Sequence, residues 1–474
     1  MATENAPTNL EELKELLKDD IKVKVAGVDV DGVLRGKYMS KSKFLSAVKS
    51  DFGFCSVIFG WDLHDETYSR ELLISNKANG YRDILARIDL STYRRLPFEY
   101  NLPFFLLTFL DPDTKEPVSA CPRGLLGRTM DKVRKLVDGA DGLAGVEYEY
   151  FQFKETPESL EKKQWTGLTA LTPGRHGYSV LRPLLNNEYF HDLHNKAEAF
   201  GIQIEAHHTE TGPGVFETAL AYTNALRVSD NAILFKLLAK TAGVNKGIIP
   251  SFMAKPYGNL PGCSGHIHVS LRSPEGVNLF ACPEGRSDAA FKDTKYLSEL
   301  GEQFLAGVVR GLPDIMPMLC PTINSYKRLV AGEAFWAPNM ASYGYDSRAA
   351  SIRIIGPPGV APEATRFEVR VPGADMNPFF ALGAVFALGL RGIEQKLTLP
   401  YGPVGAPGVT PQTLPKLATD LDAAVQAFKR EGSIARECFG DEFVDHFAGT
   451  REHEVNVWKQ AVTSWEVERY LELA

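Results

Sequence analysis

Two short stretches of the chain alternate acidic or imidazole side chains with other residues. Glu147 and Glu149 lie two residues apart in GVEYEYFQF, and His266 and His268 have the same spacing in GCSGHIHVSL. Side chains two residues apart in a β-strand point to the same face, so each pair presents two ligand-forming groups together. A solvent-facing strand edge would explain either pair equally well, so neither pair alone predicts a site.

Two further stretches extend this pattern. In HHTETGPGVFE, Glu210 and Glu217 bracket a Gly-Pro-Gly turn that would bring them to a common point. In RFEVRVPGADMNP, Arg366, Glu368 and Arg370 share one face of a strand. Such a row is either a surface ion-pair ladder of little energetic worth or a metal-binding carboxylate beside phosphate-binding guanidiniums.

Taken together, the stretches combine glutamates, histidines and arginines, and NSYKRL and DSRAASIRI add Arg328, Arg348 and Arg353. Carboxylate-rich sites with an imidazole suit Mg²⁺ or Mn²⁺ better than Zn²⁺. Arginines beside divalent cations are what phosphoryl transfer requires, because both stabilise charge on the phosphoryl group in flight. The sequence contains no P-loop motif and no kinase motif set, which indicates a different nucleotide-binding architecture.

The elements that must position these residues form an α+β pattern. A short amphipathic helix is predicted over 9–19, and a hairpin is predicted around Asp31-Gly32. Helices are also predicted over 186–200 and 229–243, the second with Ser229 or Asp230 as its N-cap, and strands over 145–153, 265–272 and 366–372. The turn-rich run DPDTKE at 111–116 and the helical pattern after Pro122 indicate a domain boundary near residue 110.

Composition narrows the class of protein. The chain has 474 residues, a net charge of -7 and an isoelectric point near 5.9, which argues against nucleic acid or an anionic membrane as a partner. Its six cysteines form no CxxC pair, so neither a zinc ribbon nor a disulfide framework is predicted. No secretory signal and no apolar run of about 18 residues is present, and a cytoplasmic location is therefore expected.

The order and spacing of these motifs resemble the glutamine synthetase family. The shared features are an ExE strand, a tight turn that ends in glutamate, an HxH strand followed by VSL, NSYKRL, SRAASIRI, and RxExR before an NP pair. The resemblance covers roughly residues 20–400. It implies a small N-terminal β-grasp domain over 1–110 and a large catalytic domain over 111–474, with a curved antiparallel sheet flanked by helices. It also implies a large homo-oligomer of stacked rings, with active sites formed between subunits.

The resemblance also implies roles for individual residues. By motif position, Glu149, Glu210 and Glu217 resemble the ligands of one metal, and Glu147, His266 and Glu368 those of another, with two to three Mg²⁺ or Mn²⁺ ions per site. His268, Ser270, Arg348 and Arg353 are expected at the nucleotide; Gly262, Arg328 and Arg370 at the glutamate; and Arg328, Arg348, Glu333 and Asp62 in catalysis. The implied substrates are ATP, glutamate and ammonia or another amine.

The chain departs from the family pattern where the amine would bind. The flap reads RLVAGEAFWAP, two residues longer than usual, so either Glu333 acts from a shifted position or Trp336 occupies its place. The DGSS segment that carries an ammonium-binding aspartate is absent, and FGWDLHD, with Asp62 and Asp65, stands near its place. Three functions follow as hypotheses: glutamine synthesis from ammonia, ligation of glutamate to a larger amine such as a polyamine, and a non-catalytic structural or regulatory role.

Overall fold

The computed structural model describes residues 6–329 and 337–474. The first helix, α1 (Leu10–Leu16), lies within the predicted range 9–19, and the side chain of Asn9 caps it by accepting from the backbone N–H groups of Glu11 and Glu12. Asp31-Gly32 forms the predicted hairpin turn, where Gly32 has a φ of 80°. A positive φ at this point favours glycine, which explains the residue type.

A six-stranded sheet occupies the N-terminal part of the chain. Its strands are β1 (Lys22–Val28), β2 (Leu34–Ser40), β3 (Phe52–Cys55), β4 (Asp83–Ile88), β5 (Arg94–Leu96) and β6 (Leu102–Leu110). The order is β2-β1-β6-β4-β3, with β5 beside β6; β1 and β6 run parallel and the other neighbours antiparallel. Helix α2 (Lys41–Ser50) follows β2 and packs on this sheet.

An eight-stranded, curled sheet carries the motif residues. Its strands are β7 (Asp141–Phe153), β8 (Ile204–Thr209), β9 (Val215–Asn224), β10 (Ile249–Ser251), β11 (Gly265–Arg272), β12 (Tyr343–Tyr345), β13 (Ile352–Ile355) and β14 (Arg366–Val369). The order is β12-β13-β14-β11-β7-β9-β8, with β10 beside β7, and only β12 and β13 run parallel. Strand β7 is thus central, so the interpretation of its two glutamates as a solvent-facing edge is wrong.

Helices surround this sheet. They are α3 (Pro122–Leu136), α4 (Pro157–Lys162), α5 (Leu181–Leu184), α6 (Asn187–Ala199), α7 (Ala225–Val244), α8 (Glu299–Gly311), α9 (Met316–Leu319), α10 (Ile323–Arg328), α11 (Pro378–Glu394), α12 (Leu421–Lys429), α13 (Ile434–Phe439), α14 (Asp441–Gln460) and α15 (Ser464–Tyr470). The predicted caps of α7 are wrong: Asn224 caps this helix, and Asp230 lies within it, bound to Arg123. None of the described helices is long and apolar enough to cross a membrane.

Aromatic packing fixes which face of β7 carries chemistry. Tyr148 and Tyr150 point toward the helices and pack on Phe252, with ring centroids 5.4 and 5.0 Å away. Burying one such ring contributes roughly 1.5–3 kcal/mol. Because neighbouring residues in a strand point to opposite faces, Glu147 and Glu149 project from the other face. The predicted α+β class with a curved sheet and flanking helices is confirmed; the domain boundary at 110 stays a prediction.

Candidate active site

The first group of ligand-forming side chains, which we name the inner cluster, consists of Glu147, His266, His268 and Glu368. Strand register brings them together, because His266 lies opposite Glu147, and His268 lies opposite Glu368. His268 Nε2 is 3.1 Å from Glu147 Oε1, and His266 Nδ1 is 3.6 Å from Glu147 Oε2 and 3.5 Å from Glu368 Oε1. The predicted convergence of these strands on one site is therefore seen in the geometry.

Both histidines of the inner cluster lie close to its glutamates. The residues whose ligand atoms lie within 4.8 Å of one another are Glu147, His268 and Glu368. The family resemblance had implied His266 in this set and His268 beside the nucleotide. Both imidazoles contact Glu147, and their roles as metal ligand and phosphate contact stay predictions.

Arginines balance the charge of the inner cluster. The Glu368 side chain is only 2% exposed, and it accepts from Arg353 Nη1 at 2.9 Å and from Arg370 Nη1. Burial raises the pKa of Glu368, but His266 and Arg370 outweigh burial and hold that pKa below its usual value. Burial also raises the pKa of Glu147, but hydrogen bonds to His266 and His268 lower that pKa by more, so it too lies below its usual value. A surface ion-pair ladder is therefore the wrong interpretation of the Arg-Glu-Arg row.

The second group, which we name the outer cluster, consists of Glu149, His208, Glu210 and Glu217. Glu217 lies opposite Glu149 on one side and opposite His208 on the other. His208 Nε2 is 3.5 Å from Glu217 Oε1, and His208 Nδ1 is 3.7 Å from Glu210 Oε1. Burial raises the pKa of Glu210, and repulsion from Glu149 and Glu217 raises it further. The predicted meeting of Glu210 and Glu217 is seen in the structure.

A glycine makes the turn between these two glutamates feasible. Gly214 has a φ of 70°, and a Cβ atom added there would lie 2.6 Å from the carbonyl oxygen of Gln152 on β7. Only glycine tolerates both the positive φ and this close approach of two backbones. The turn therefore returns the chain tightly from β8 into β9, and both glutamates stay on the cluster face.

Two residues of this region carried no assigned role in the sequence. His208 is one of them: its hydrogen bond to Glu217, against the effect of burial, raises its pKa to about 9. The other is Tyr178, whose ring stacks on His208 with centroids 4.5 Å apart. The two-residue spacing of His208, on β8, and Glu210, just after this strand, is a signal that sequence reasoning missed. Tyr178 lies in the loop before α5, separated in sequence from β8, and no local pattern identifies it.

A cavity of about 320 Å³ opens beside the inner cluster. Ser270, predicted at the nucleotide, lines it together with His268 and Glu147. Tyr222, which was not predicted and is half exposed, also lines the cavity. So does Arg366 of the Arg-Glu-Arg row, whose Nε donates to His268 Nδ1 at 3.2 Å. Apolar walls with a polar, ligand-rich end are typical of small-molecule sites.

The remaining arginines take distinct positions. Arg353 Nε donates to Asp346 at 2.9 Å while the same guanidinium holds Glu368. Arg348 is exposed in the loop before β13, and it partly offsets the rise that burial and Glu210 cause in the pKa of Tyr178.

The predicted glutamate-binding pair, Arg328 and Gly262, is in direct contact. Arg328 ends α10, is buried, and donates from Nη2 to the carbonyl oxygen of Val371. Its Nε has no partner among the described residues. A Cβ at Gly262 would lie 2.4 Å from the Ala254 carbonyl oxygen and 2.8 Å from Arg328 Cγ. Gly262 thus leaves the space in which the arginine side chain lies.

Asp62 is not brought to either cluster within this chain. Its Oδ1 accepts from the backbone N–H groups of His64 and Glu66 at 2.8 and 3.0 Å, and its Oδ2 lies 3.1 Å from His453 Nε2 on α14. Both oxygens are thus committed to a local turn and a helix contact that sequence spacing did not reveal. Glu333 and Trp336 lie outside the described residues.

The donor sets fit hard divalent cations. Each cluster offers carboxylate oxygens with an imidazole nitrogen, and in both Glu147-His268-Glu368 and His208-Glu210-Glu217 the ligand atoms lie within 4.8 Å of one another. Carboxylate-dominated sets of this kind suit Mg²⁺ or Mn²⁺. Among the described residues, no thiol joins either set, which argues against a zinc or iron–sulfur site.

Comparisons with known proteins agree with this geometry. Residues 119–470 match the family defined by the glutamine synthetase catalytic domain. The chain is 41% identical over 455 residues to type-1 glutamine synthetase 2 of Dictyostelium discoideum, covering 95% of this chain and 84% of that one. It is 34% identical over 454 residues to glutamate–isopropylamine ligase of Pseudomonas sp, covering 95% of each.

A solved structure supports the fold. A complex of GmaS with ADP superposes with a TM-score of 0.80 at 23% sequence identity, and the match covers 98% of this chain and 100% of that chain. At this identity the similarity concerns the fold alone.

Proposed function

Because this chain belongs to the glutamine synthetase family, we propose that it is an ATP-dependent ligase that joins the γ-carboxylate of glutamate to an amine through γ-glutamyl phosphate. The observation that carries this proposal is the meeting of the inner and outer clusters on one sheet face, with Arg353 and Arg370 bound to Glu368 of the inner cluster. A protein with only a structural role would not need this costly concentration of like charges.

The chemistry explains why such a site is needed. A carboxylate does not react with an amine in water, since oxide is a very poor leaving group. A γ-carboxylate oxygen attacks the γ-phosphorus of ATP and releases ADP; the amine nitrogen then attacks the acyl carbon, phosphate leaves, and the nitrogen loses a proton. Divalent cations, when bound at the two clusters, would neutralise the triphosphate.

The chain's own residues have defined tasks in this scheme. Arg353 and Arg370 are fixed by Glu368, so they would hold the transferred phosphoryl group without reorganising. Arg328, with space provided by Gly262, would bind the substrate carboxylate. The cavity lined by His268, Ser270 and Tyr222 would take the nucleotide. The acids of the outer cluster would provide an anionic environment for the incoming amine.

We propose ammonia as the acceptor, in keeping with the similarity to a type-1 glutamine synthetase. A second candidate is a larger amine, which the full-length similarity to glutamate–isopropylamine ligase favours. The commitment of both Asp62 oxygens within the chain also favours it, because that residue was the candidate ammonium-binding acid.

The test is ATP-dependent phosphate release with glutamate and a panel of acceptors: ammonium, isopropylamine, ethanolamine, a polyamine and aniline. Product masses identify each amide. We expect release that requires glutamate, with ammonium as the best acceptor by kcat/KM. A preference of about tenfold for another amine, equal to about 1.4 kcal/mol, replaces ammonia with that amine. No release with any acceptor refutes the ligase and leaves the structural or regulatory role.

The flap offers a more specific test of the second candidate. If Phe335 and Trp336 form a wall for an amine chain, burial and cation–π contact would contribute about 0.5–2 kcal/mol. Trp336→Ala should then change the ranking of amines more than it changes glutamate-dependent ATP cleavage. Equal slowing with all amines, with ammonium best in the native protein, favours glutamine synthesis.

Assembly is part of the same proposal. We propose a large homo-oligomer of stacked rings, in which the N-terminal part of one subunit completes a neighbour's site. Light scattering on the active protein is the measurement. A monomer that still releases phosphate with glutamate would rule out the shared site.

A further inference from the structure

Outside the two clusters, Arg94 is a buried arginine that forms no ion pair with an acidic residue in the described part of the chain. Arg94, the first residue of β5, is only 3% exposed. Its guanidinium donates to the carbonyl oxygens of Phe200 and Gly201 at 3.2 and 3.4 Å and to Asn231 Oδ1 at 2.5 Å. Its Nε has no partner within residues 6–329 and 337–474. All three acceptors are neutral, so the positive charge is solvated but not balanced.

The neighbouring charges leave a positive excess. Arg123 forms ion pairs with Asp230 at 2.9 Å and with Asp89 at 2.8 Å. Arg227 repels the Arg94 guanidinium, and it forms no ion pair of its own in the part of the chain that the structure describes. Three guanidiniums therefore share two carboxylates. Burial first, and then Arg227, lowers the pKa of Arg94 to about 9, which reflects the cost of this excess charge.

Arg94 and Arg227 line one cavity. This cavity has a volume of about 1120 Å³ and lies between the N-terminal segment, β5 and the end of α6. Arg227 is the third residue of α7, a helix of 20 residues with no acidic residue in its first turn. A cation is unfavourable at a helix N-terminus, whereas an anion there is stabilised by the backbone N–H groups.

Acidic residues also line the cavity, but they lie at its exposed rim. Glu12 accepts from Thr8 and Asn9, Glu15 pairs with Lys18, and Glu198 is exposed on α6. Water screens charges in such positions strongly. The buried part of the cavity therefore stays electropositive. The third lining arginine among the described residues, Arg95, is neutralised by Asp20 at 2.8 Å.

We propose that this cavity, which we name the Arg94–Arg227 pocket, binds a small oxyanion that carries a carboxylate or phosphate group. An oxyanion bound between the two arginines would supply the negative charge that the buried Arg94 guanidinium lacks. Guanidinium groups bind planar carboxylates and tetrahedral phosphates through paired hydrogen bonds. The ligand would bridge the N-terminal sheet and α7, which directly follows β9 with its outer-cluster residue Glu217. This site is separate from the proposed catalytic site and does not depend on it.

The test uses the full-length protein and two probes, inorganic phosphate and succinate, at constant ionic strength. The melting temperature is followed as each anion is titrated. We expect at least one anion to stabilise the protein, with about fivefold weaker half-saturation in Arg227→Gln, because one of two charge-assisted contacts is lost. Response to phosphate alone identifies a phosphate ligand, and response to succinate alone a carboxylate.

Two control variants separate this pocket from the catalytic site, where phosphate is a product in the proposed reaction. Arg348→Gln should weaken phosphate binding at the catalytic site and leave the pocket unchanged. Arg310→Gln removes an arginine that donates to the Thr398 carbonyl oxygen, away from the pocket, and it should behave as wild type. Crystals soaked in selenate should show anomalous density at Arg94 and Arg227. Equal titrations for wild type and Arg227→Gln, or selenate bound only elsewhere, would overturn the proposal.

Discussion

The inner and outer clusters use the same donor types but balance their charge differently. In the inner cluster, Glu368 is 2% exposed and bound by Arg353 and Arg370. In the outer cluster, Glu210 and Glu217 are 21% and 16% exposed, and their one cationic neighbour within 4 Å among the described residues is His208. The protein itself neutralises the first set of carboxylates, whereas the second set is left for a bound cation to neutralise.

This difference separates two effects that are usually mixed in a metal site. Removing the inner carboxylate Glu368 leaves the buried Arg370 guanidinium without its acidic partner, so it should damage the fold as well as the site. Removing an outer carboxylate relieves repulsion between like charges, so it should damage the site while sparing the fold. Variants of the two clusters therefore test the comparison directly.

The largest effect is expected for Glu217→Gln. Losing one outer carboxylate should lower glutamate-dependent phosphate release by about 10³-fold, equal to about 4 kcal/mol, because the charge that organises the phosphoryl group is lost. The melting temperature in EDTA should not fall. Glu188→Gln, which changes a glutamate on α6 that is 88% exposed, is the matched control and should retain activity. Activity within tenfold of wild type would remove Glu217 from the site.

The second effect concerns stability. Glu368→Gln should lower the free energy of unfolding by about 3 kcal/mol, because the buried Arg370 would lose its carboxylate, whereas Arg353 keeps Asp346. The melting temperatures of the two variants and of wild type are compared in EDTA, where no bound metal contributes to stability. We expect a clear decrease for this variant and none for Glu217→Gln. Equal melting temperatures would show that the arginines do not depend on Glu368.

Local periodicity made part of this site predictable from sequence. The two-residue spacing of Glu147 with Glu149, and of His266 with His268, determines their shared face whatever the strand neighbours are. The helix over 187–199 and the α+β class follow from patterns of the same local kind. Motif order then identified the family, which the comparisons confirmed.

Features that depend on distant contacts were not predictable. Which histidine lies nearest Glu147 depends on how β11 fits between β7 and β14, which no single segment specifies. The engagement of Asp62 depends on His453, which is almost four hundred residues later. The cap of α7 was misplaced because Ser229 and Asp230 are good capping residues, although Asn224 is the one at the end of β9.

Metal binding gives the third prediction. Adding Mg²⁺ or Mn²⁺ at about 100 times its dissociation constant should stabilise the native protein by about 2.7 kcal/mol. Glu149→Ala should lose most of this stabilisation without unfolding the protein, because Glu149 adjoins Glu210 and Glu217. Thermal melting with and without metal is the measurement, with Glu188→Gln again as control. A full metal response in Glu149→Ala would place the cation elsewhere.

The smallest effect is expected at Tyr178, whose ring stacks on His208 at 4.5 Å. Such a ring pair contributes about 0.5–1.5 kcal/mol, so Tyr178→Leu should weaken metal binding by about three- to tenfold as His208 loses its fixed orientation. Tyr178→Phe keeps the ring and should bind metal like wild type. Titrating the metal against all three proteins by calorimetry distinguishes the ring from the hydroxyl. If Phe weakens binding as much as Leu, the hydroxyl is the active group; if neither does, His208 is oriented by Glu217 alone, and the outer cluster is more rigid than its exposure indicates.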